Sequence, residues 1–231
     1  MINTRFCPTA NGALHYGHLY MALVNKGLAD EGGGDFTIRF EDTAASLQHL
    51  GKERIRTICK NQIDDLAWAG IIAERYIYQS AIDEEVEAFL LKRGFKRTPQ
   101  EDPVVVPGII AEGNMILYPY TPSMTAEKVV MDWMTGTTLL VRGIDLLSEY
   151  SLYTHYCRMF ELPEPRHLYL PRLKGPFGDI SKTNGGCTIA GARSDGISPA
   201  ELRDMIGRAC LKNPPNGWSL DNLKAEPRIT L

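Results

Sequence analysis

The sequence predicts an α/β fold, a doubly wound parallel sheet, and three observations point there. Residues 4–7, a helix-period segment opening at Gly17 and residues 35–40 read as strand, helix and strand in succession, a crossover that makes the two strands parallel. Apolar runs ending in a charged residue recur at 36–41 and 138–142, as expected of strands buried on both faces with polar groups at their carboxyl ends. Two histidines, His15 and His18, fall where the first strand hands over to the first helix. A helix start offers unpaired backbone N–H groups and partial positive charge, so the His15-Tyr16-Gly17-His18 segment reads as a phosphate site.

The elements follow in order. Asn11-Gly12 marks a turn, and Leu19, Ala22, Leu23, Lys26 and Gly27 share one face of the first helix, which Gly32-Gly33-Gly34 ends. The strand over 35–40 closes in Glu41-Asp42-Thr43. Ile55, Ile58, Ile63 and Leu66 give residues 51–69 a helical face, as do Ile82, Val86, Phe89 and Leu90 for 81–93. Between 95 and 122 proline and glycine pairs break the pattern into a short insertion with a strand or two. A helix from Met124 to Gly136, a strand over 138–142, a helix over 146–160 and a final strand over 167–170 come next. A Gly- and Pro-rich loop over 174–187 then carries Ser181 and Lys182. Ser198-Pro199-Ala200-Glu201 is a capping box with proline at the first helical position. The tail from Asn213 is turn-rich, with Trp218, Leu220 and Leu223 to anchor it. The expected organisation is one catalytic domain over 1–231, with the insertion at about 95–122 and the Ser-Lys loop plus helical tail at about 172–231.

Composition narrows the function. Lysine and arginine total 25 against 28 acidic residues, a formal net charge of −3, so there is no global attraction to nucleic acid. Cys7, Cys59, Cys157, Cys187 and Cys210 are widely spaced without a Cys-x-x-Cys pair, which predicts reduced thiols and neither a zinc site nor a disulfide framework. No signal segment and no apolar run of membrane-spanning length is present, so the expected location is cytoplasmic, away from membranes.

Five ordered blocks carry a resemblance: Thr4-Arg5-Phe6-Cys7-Pro8; Asn11-Gly12-Ala13-Leu14-His15-Tyr16-Gly17-His18; Ile38-Arg39-Phe40-Glu41-Asp42-Thr43; Val141-Arg142-Gly143-Ile144-Asp145-Leu146-Leu147; and Ile180-Ser181-Lys182. Together they resemble the class I glutamyl/glutaminyl-tRNA synthetase catalytic core, a Rossmann-like domain. The likeness runs from the first strand to His167-Leu168-Tyr169-Leu170-Pro171, and Trp218-Ser219-Leu220 resembles the end of that core. In layout it is nearest the stand-alone glutamyl-Q tRNA(Asp) synthetase. The resemblance implies ATP and Mg2+ and formation of an aminoacyl adenylate from glutamate or a related amino acid. The acyl group would then pass to tRNA, a modified nucleoside in RNA or DNA, a carrier protein or a small amine.

The resemblance also distributes roles. His15, His18 and Lys182 would be catalytic, stabilising charge that accumulates on phosphate oxygens. Gly17, Asp145 and Ser181 would join them in binding ATP. Arg5, Cys7, Thr9, Glu41, Met124, Lys128 and Arg142 would form the amino-acid pocket, with Glu41 on the α-ammonium and an arginine on a substrate carboxylate. Outside this constellation Arg5 and Arg142 would read as structural partners of Glu41 or Asp42, Lys182 as a solvated loop lysine, and Cys7 as a small buried residue. Tyr150, Tyr153 and Tyr156 read as helix packing.

Several positions depart from the family pattern. Met124 replaces a pocket tyrosine and Lys128 an asparagine or small residue, while Asp179 stands where a first loop lysine is expected. The zinc-binding cysteines and the anticodon-binding region have no counterpart among the 231 residues. An alternative is therefore a non-catalytic module that binds ATP or amino acid and regulates a partner. Another nucleotidyltransferase with the same histidine motif would share the phosphate logic but leave Glu41 and Arg142 unexplained.

Overall fold

The computed structural model describes residues 1–95, 104–105, 109–111, 114–116, 119–120, 124–171, 173–175, 178–179, 187–213, 217–219, 221–223 and 229–230. The described chain forms two compact units. The first comprises residues 1–80, 137–147 and 165–231; the second comprises 81–136 and 148–164.

The first unit is an α/β layer structure built on a six-stranded sheet. Its strands are β1 (Thr4–Phe6), β2 (Phe36–Phe40), β3 (Arg75–Tyr78), β8 (Leu139–Gly143), β9 (Arg166–Leu170) and β12 (Ile229–Thr230), in the order β12-β9-β8-β1-β2-β3. The five strands from β9 to β3 run parallel, and β12 pairs antiparallel with β9. Every residue of β1 and β2 is buried, so both faces of the sheet centre are covered, as parallel sheets require. The covering helices of this unit are α1 (Tyr16–Glu31), α2 (Lys52–Trp68), α6 (Ile189–Ser194) and α7 (Pro199–Cys210). Among these, α1 packs on β1, β2 and β8, and its buried Leu19, Ala22 and Leu23 join Phe6, Phe36, Ile38 and Val141 in the core. A short hairpin, β10 (Lys174–Gly175) with β11 (Gly178–Asp179), precedes the Ser-Lys loop.

Some elements differ from expectation. The strand β3 went unread because it is four residues long at the sheet edge and partly exposed, so it shows no apolar run. Residues 167–170 are not the last strand, since β12 adds an edge partner beyond β9. On α2 the buried stripe is Ile58, Cys59, Gln62, Asp65 and Leu66, with Ile55 and Ile63 only half-buried. The stripe thus keeps Ile58 and Leu66 of the expected face, is rotated away from Ile55 and Ile63, and includes two polar residues. The tail is held on α1 by Trp218: a Cβ at Gly27 would collide with the Trp218 side chain and carbonyl.

The second unit has its own helices, α3 (Asp83–Leu91), α4 (Met124–Met134) and α5 (Tyr150–Met159), and two antiparallel pairs within the insertion. Those pairs are β4 (Val104–Val105) with β7 (Pro119–Tyr120), and β5 (Ile109–Ala111) with β6 (Asn114–Ile116). The residues expected to form one helix over 146–160 divide into a 3₁₀ turn, Ile144–Glu149, and α5. Tyr153 and Tyr156 are buried, and the Tyr153 hydroxyl donates to the buried Asp132 carboxylate at 3.0 Å. Phe160 stacks on Tyr156 at 5.5 Å and meets Phe95 edge-on at 5.3 Å. These rings fill a core, as read from the tyrosine spacing. Among the described residues, no helix is long and apolar enough to cross a membrane.

Candidate active site

The strand order creates the site. From β1 the chain proceeds to β2 and β3 on one side, whereas β8 and β9 lie on the other. Strand order therefore reverses between β1 and β8, and in open parallel sheets a crevice for ligands opens there, at the carboxyl ends. Arg5, in the middle of β1, and Arg142, near the end of β8, are both buried. Counting along the parallel pair from Thr4↔Leu139 brings Cys7 level with Arg142. Cys7 lies just beyond β1 and is half-buried, more open than the small core residue expected at that position.

On the other side of β1 the pairing with β2 continues past the strand ends. The Glu41 amide donates to the Pro8 carbonyl at 3.1 Å, and Thr9 and Glu41 form a parallel bridge. The Thr9 hydroxyl then donates to Glu41 Oε2 at 3.0 Å, which fixes one oxygen of a half-buried carboxylate beside the crevice. Asp42 turns away, accepting from the Ser80 amide and hydroxyl at 2.9 and 2.5 Å.

The helix α1 begins with a reciprocal cap made by the two histidines. His15 Nδ1 accepts the His18 amide and His18 Nδ1 accepts the His15 amide, both at 3.3 Å. A ring nitrogen that accepts a hydrogen bond carries no proton, so this geometry assigns the neutral rings their proton at Nε2. The rings stack with centroids 3.7 Å apart and an interplanar angle of 22°. Gly17 lies under them: a Cβ there would stand 2.9 Å from His15 Cε1 and Nδ1. Two imidazoles, two Nε2–H groups and a helix N-terminus thus share one small region.

A distant segment is tied to this cap. Cys187 accepts the Tyr16 amide at 2.9 Å, Thr188 bridges His15, and the Ile189 amide donates to Leu14 at 2.9 Å. Burial, then Cys187 and Asp195, raise the Tyr16 phenol above its ordinary value and keep it a neutral donor. Ser181 and Lys182 lie outside the described residues, but Lys182 precedes the anchored Cys187 by five positions. Five residues span at most about 18 Å when fully extended.

Asp145 follows β8 in the 3₁₀ turn and is exposed. A Cβ at Gly143 would collide with its carboxylate, so glycine lets Asp145 fold back on the end of β8. Arg5, Cys7, Thr9, His15, Gly17, His18, Glu41, Arg142 and Asp145 all belong to the first unit, at strand carboxyl ends or the start of α1. Met124 and Lys128 stand on α4 in the second unit. There the Lys128 ammonium lies 3.7 Å from Glu149 Oε2, both side chains half-buried, a partner the sequence reading did not supply. It also missed Gln62, whose side-chain amide reaches from α2 to the carbonyls of Thr9 and Gly12 at 3.1 and 2.8 Å. Its place one turn from Cys59 and Leu66, on the buried stripe, is the signal that could have found it. Among the described residues no cluster of three or more His, Cys, Asp or Glu is arranged to hold a metal.

Comparison with known proteins agrees with this geometry. Residues 1–94 match the family described as tRNA synthetases class I (E and Q), catalytic domain. The glutamate–tRNA ligase 1 of Xanthobacter autotrophicus is 28% identical over 282 aligned residues, covering 94% of this chain and 57% of that protein. Against the solved glutamate–tRNA synthetase of Elizabethkingia anophelis the TM-score is 0.54 at 17% identity, covering 80% of this chain and 53% of that one. Against the tyrosyl-tRNA synthetase of Archaeoglobus fulgidus it is 0.59 at 18% identity, covering 90% and 65%. At such identities the structural likeness speaks for the fold alone. The chain spans less than two thirds of the length of the curated relatives it matches. Along nearly its whole length the sequence is similar to glutamate–tRNA ligases, and the fold is similar to that of solved glutamate- and tyrosyl-tRNA synthetases.

Proposed function

We propose that this protein activates an amino acid with ATP, forming an aminoacyl adenylate and releasing pyrophosphate, with glutamate or a related amino acid as substrate. The observation that carries the reading is convergence. Buried Arg5 and Arg142 flank the strand-order reversal, the Thr9–Glu41 pair lies beside it, and the capped His15 and His18 open α1 in the same unit. A substrate carboxylate oxygen attacks the α-phosphorus, the bond from that phosphorus to the α–β bridging oxygen breaks, and the electron pair leaves with pyrophosphate. Negative charge grows on the phosphate oxygens, which fixed N–H donors and cations stabilise. The two Nε2–H groups supply donors, the α1 N-terminus contributes its partial positive charge, and Lys182, five residues before the Cys187 anchor, supplies a cation. Mg2+ accompanies the triphosphate. Glu41 takes the α-ammonium, and an arginine takes a carboxylate by paired hydrogen bonds.

The acyl group then passes to an acceptor, either tRNA or a non-standard one such as a modified nucleoside or a carrier. The test is ATP–pyrophosphate exchange across the twenty amino acids with Mg2+. Exchange is expected with glutamate or a close relative, and Lys182→Ala and His18→Ala should each abolish it while circular dichroism stays native. Binding of ATP and amino acid with no exchange would instead favour a non-catalytic regulatory module.

A further inference from the structure

The side chain of Gln62 is buried and lies on α2, and it makes two contacts to the loop that joins the halves of the site. Its Nε2 donates to the carbonyl of Thr9 at 3.1 Å and to that of Gly12 at 2.8 Å. Its Oε1 is buried and has no hydrogen-bond partner among the described residues. Helix packing alone would favour an apolar side chain of the same volume, because a buried acceptor without a donor is destabilising. The amide is therefore distinguished by its two donors and by where they go.

The loop they hold is short and constrained. The Asn11 amide turns back onto the Thr9 carbonyl at 2.8 Å, and Gly12 has a φ of +150°, which L side chains rarely adopt. Ala10 and Leu14 are buried on either side. Before the turn, Thr9 orients the Glu41 carboxylate; after it, Leu14 leads into the His15 cap. One amide thus fixes the spacing between the amino-acid end and the phosphate end.

We propose that Gln62 is a positioning residue that couples these two ends by holding residues 9–12 in a single arrangement without touching either substrate. This rests on the activation chemistry proposed above. Gln62→Glu keeps the shape but presents oxygens to both carbonyls, and Gln62→Met keeps the length without donors. In both, kcat for ATP–pyrophosphate exchange is expected to fall about tenfold or more while KM for ATP and for the amino acid stays within about threefold, since alignment is lost rather than contact. Assays run well below each variant's melting temperature, where a merely structural role would leave kcat unmoved. A kcat within about twofold of wild type in a folded variant overturns the proposal.

Amide hydrogen exchange reads the holding directly. Amides of residues 9–14 should exchange faster in Gln62→Met by about tenfold, with those of β1 and β2 unchanged, and equal protection in variant and wild type overturns the proposal. A wild-type protein with no ATP–pyrophosphate exchange for any amino acid counts against the activation reading, while hydrogen exchange still decides whether Gln62 holds the loop.

Discussion

A carboxylate that is to hold an ammonium must be kept in one rotamer, and Glu41 is kept there by a hydroxyl. The Thr9 hydroxyl donates to Oε2 at 3.0 Å in a half-buried setting, and hydrogen bonds to charged groups contribute about 1.5–3 kcal/mol net. Thr9→Val keeps the branched shape and removes the donor. If Glu41 binds the α-ammonium, the amino-acid KM in exchange should rise about tenfold, at the lower end of that range, while the ATP KM is unchanged. Equal shifts in both constants would place Thr9 in general folding instead. At this scale the sequence was informative where a charged residue sits at a strand's end, as Glu41 and Arg142 do, whereas Arg5, in the middle of β1, stood out only through the family resemblance. It was uninformative where a polar side chain replaces an apolar one on a buried helix stripe. Gln62 reads as a solvent-facing residue until the stripe is known to run through Cys59 and Leu66.

At the scale of the element, the start of α1 would combine two duties in the same rings if the proposed phosphate role holds. The Nδ1 atoms cap the helix, the phosphate role would fall to Nε2, and Gly17 leaves room for the stacked pair. These duties can be separated. Asparagine is a favoured N-cap residue but lacks an outward ring N–H, so His15→Asn should retain helix stability. Exchange should fall about 10²-fold or more, the usual effect of losing one oxyanion donor. His15→Ala loses the cap as well and should be less stable than His15→Asn by about 1 kcal/mol. Thermal melts of the two variants beside their exchange rates make the comparison. Identical melts would mean that the side-chain cap contributes nothing. The helix itself was legible from its spacing and from the strand before it. The reciprocal histidine cap was not, because capping boxes are read from Ser or Thr paired with Glu or Gln, as at Ser198 and Glu201.

At the scale of the molecule, the first unit is assembled from three stretches of chain, and the last is stitched to the first at the site itself. Residues 187–189 bond to 14–16 through the Tyr16 amide, the His15–Thr188 bridge and the Ile189 amide. The parallel strand–helix–strand opening of the sheet was legible in the sequence. This stitch was not, since it is an isolated bridge between irregular segments far apart in the chain, with no periodicity to mark it. Its consequence is that Cys187, five residues after Lys182, is fixed beside the histidines. Ile189 is the first residue of α6, after the Thr188 cap, and proline is tolerated at that helical position but has no N–H to give to Leu14. Ile189→Pro should therefore leave α6 in place and release one of the three links, whereas Ile189→Val keeps the amide and most of the buried side chain. The valine variant should exchange ATP and pyrophosphate within about twofold of wild type and melt slightly lower, by the ~0.5–1.5 kcal/mol of a lost methylene. If Lys182 serves the phosphates as proposed, the proline variant should lose about tenfold or more in kcat, because the link that anchors the chain after Lys182 is weakened and small misplacements of reacting groups are costly. Equal kcat in the two variants at matched stability would mean that the anchor at 187–189 supports the fold alone.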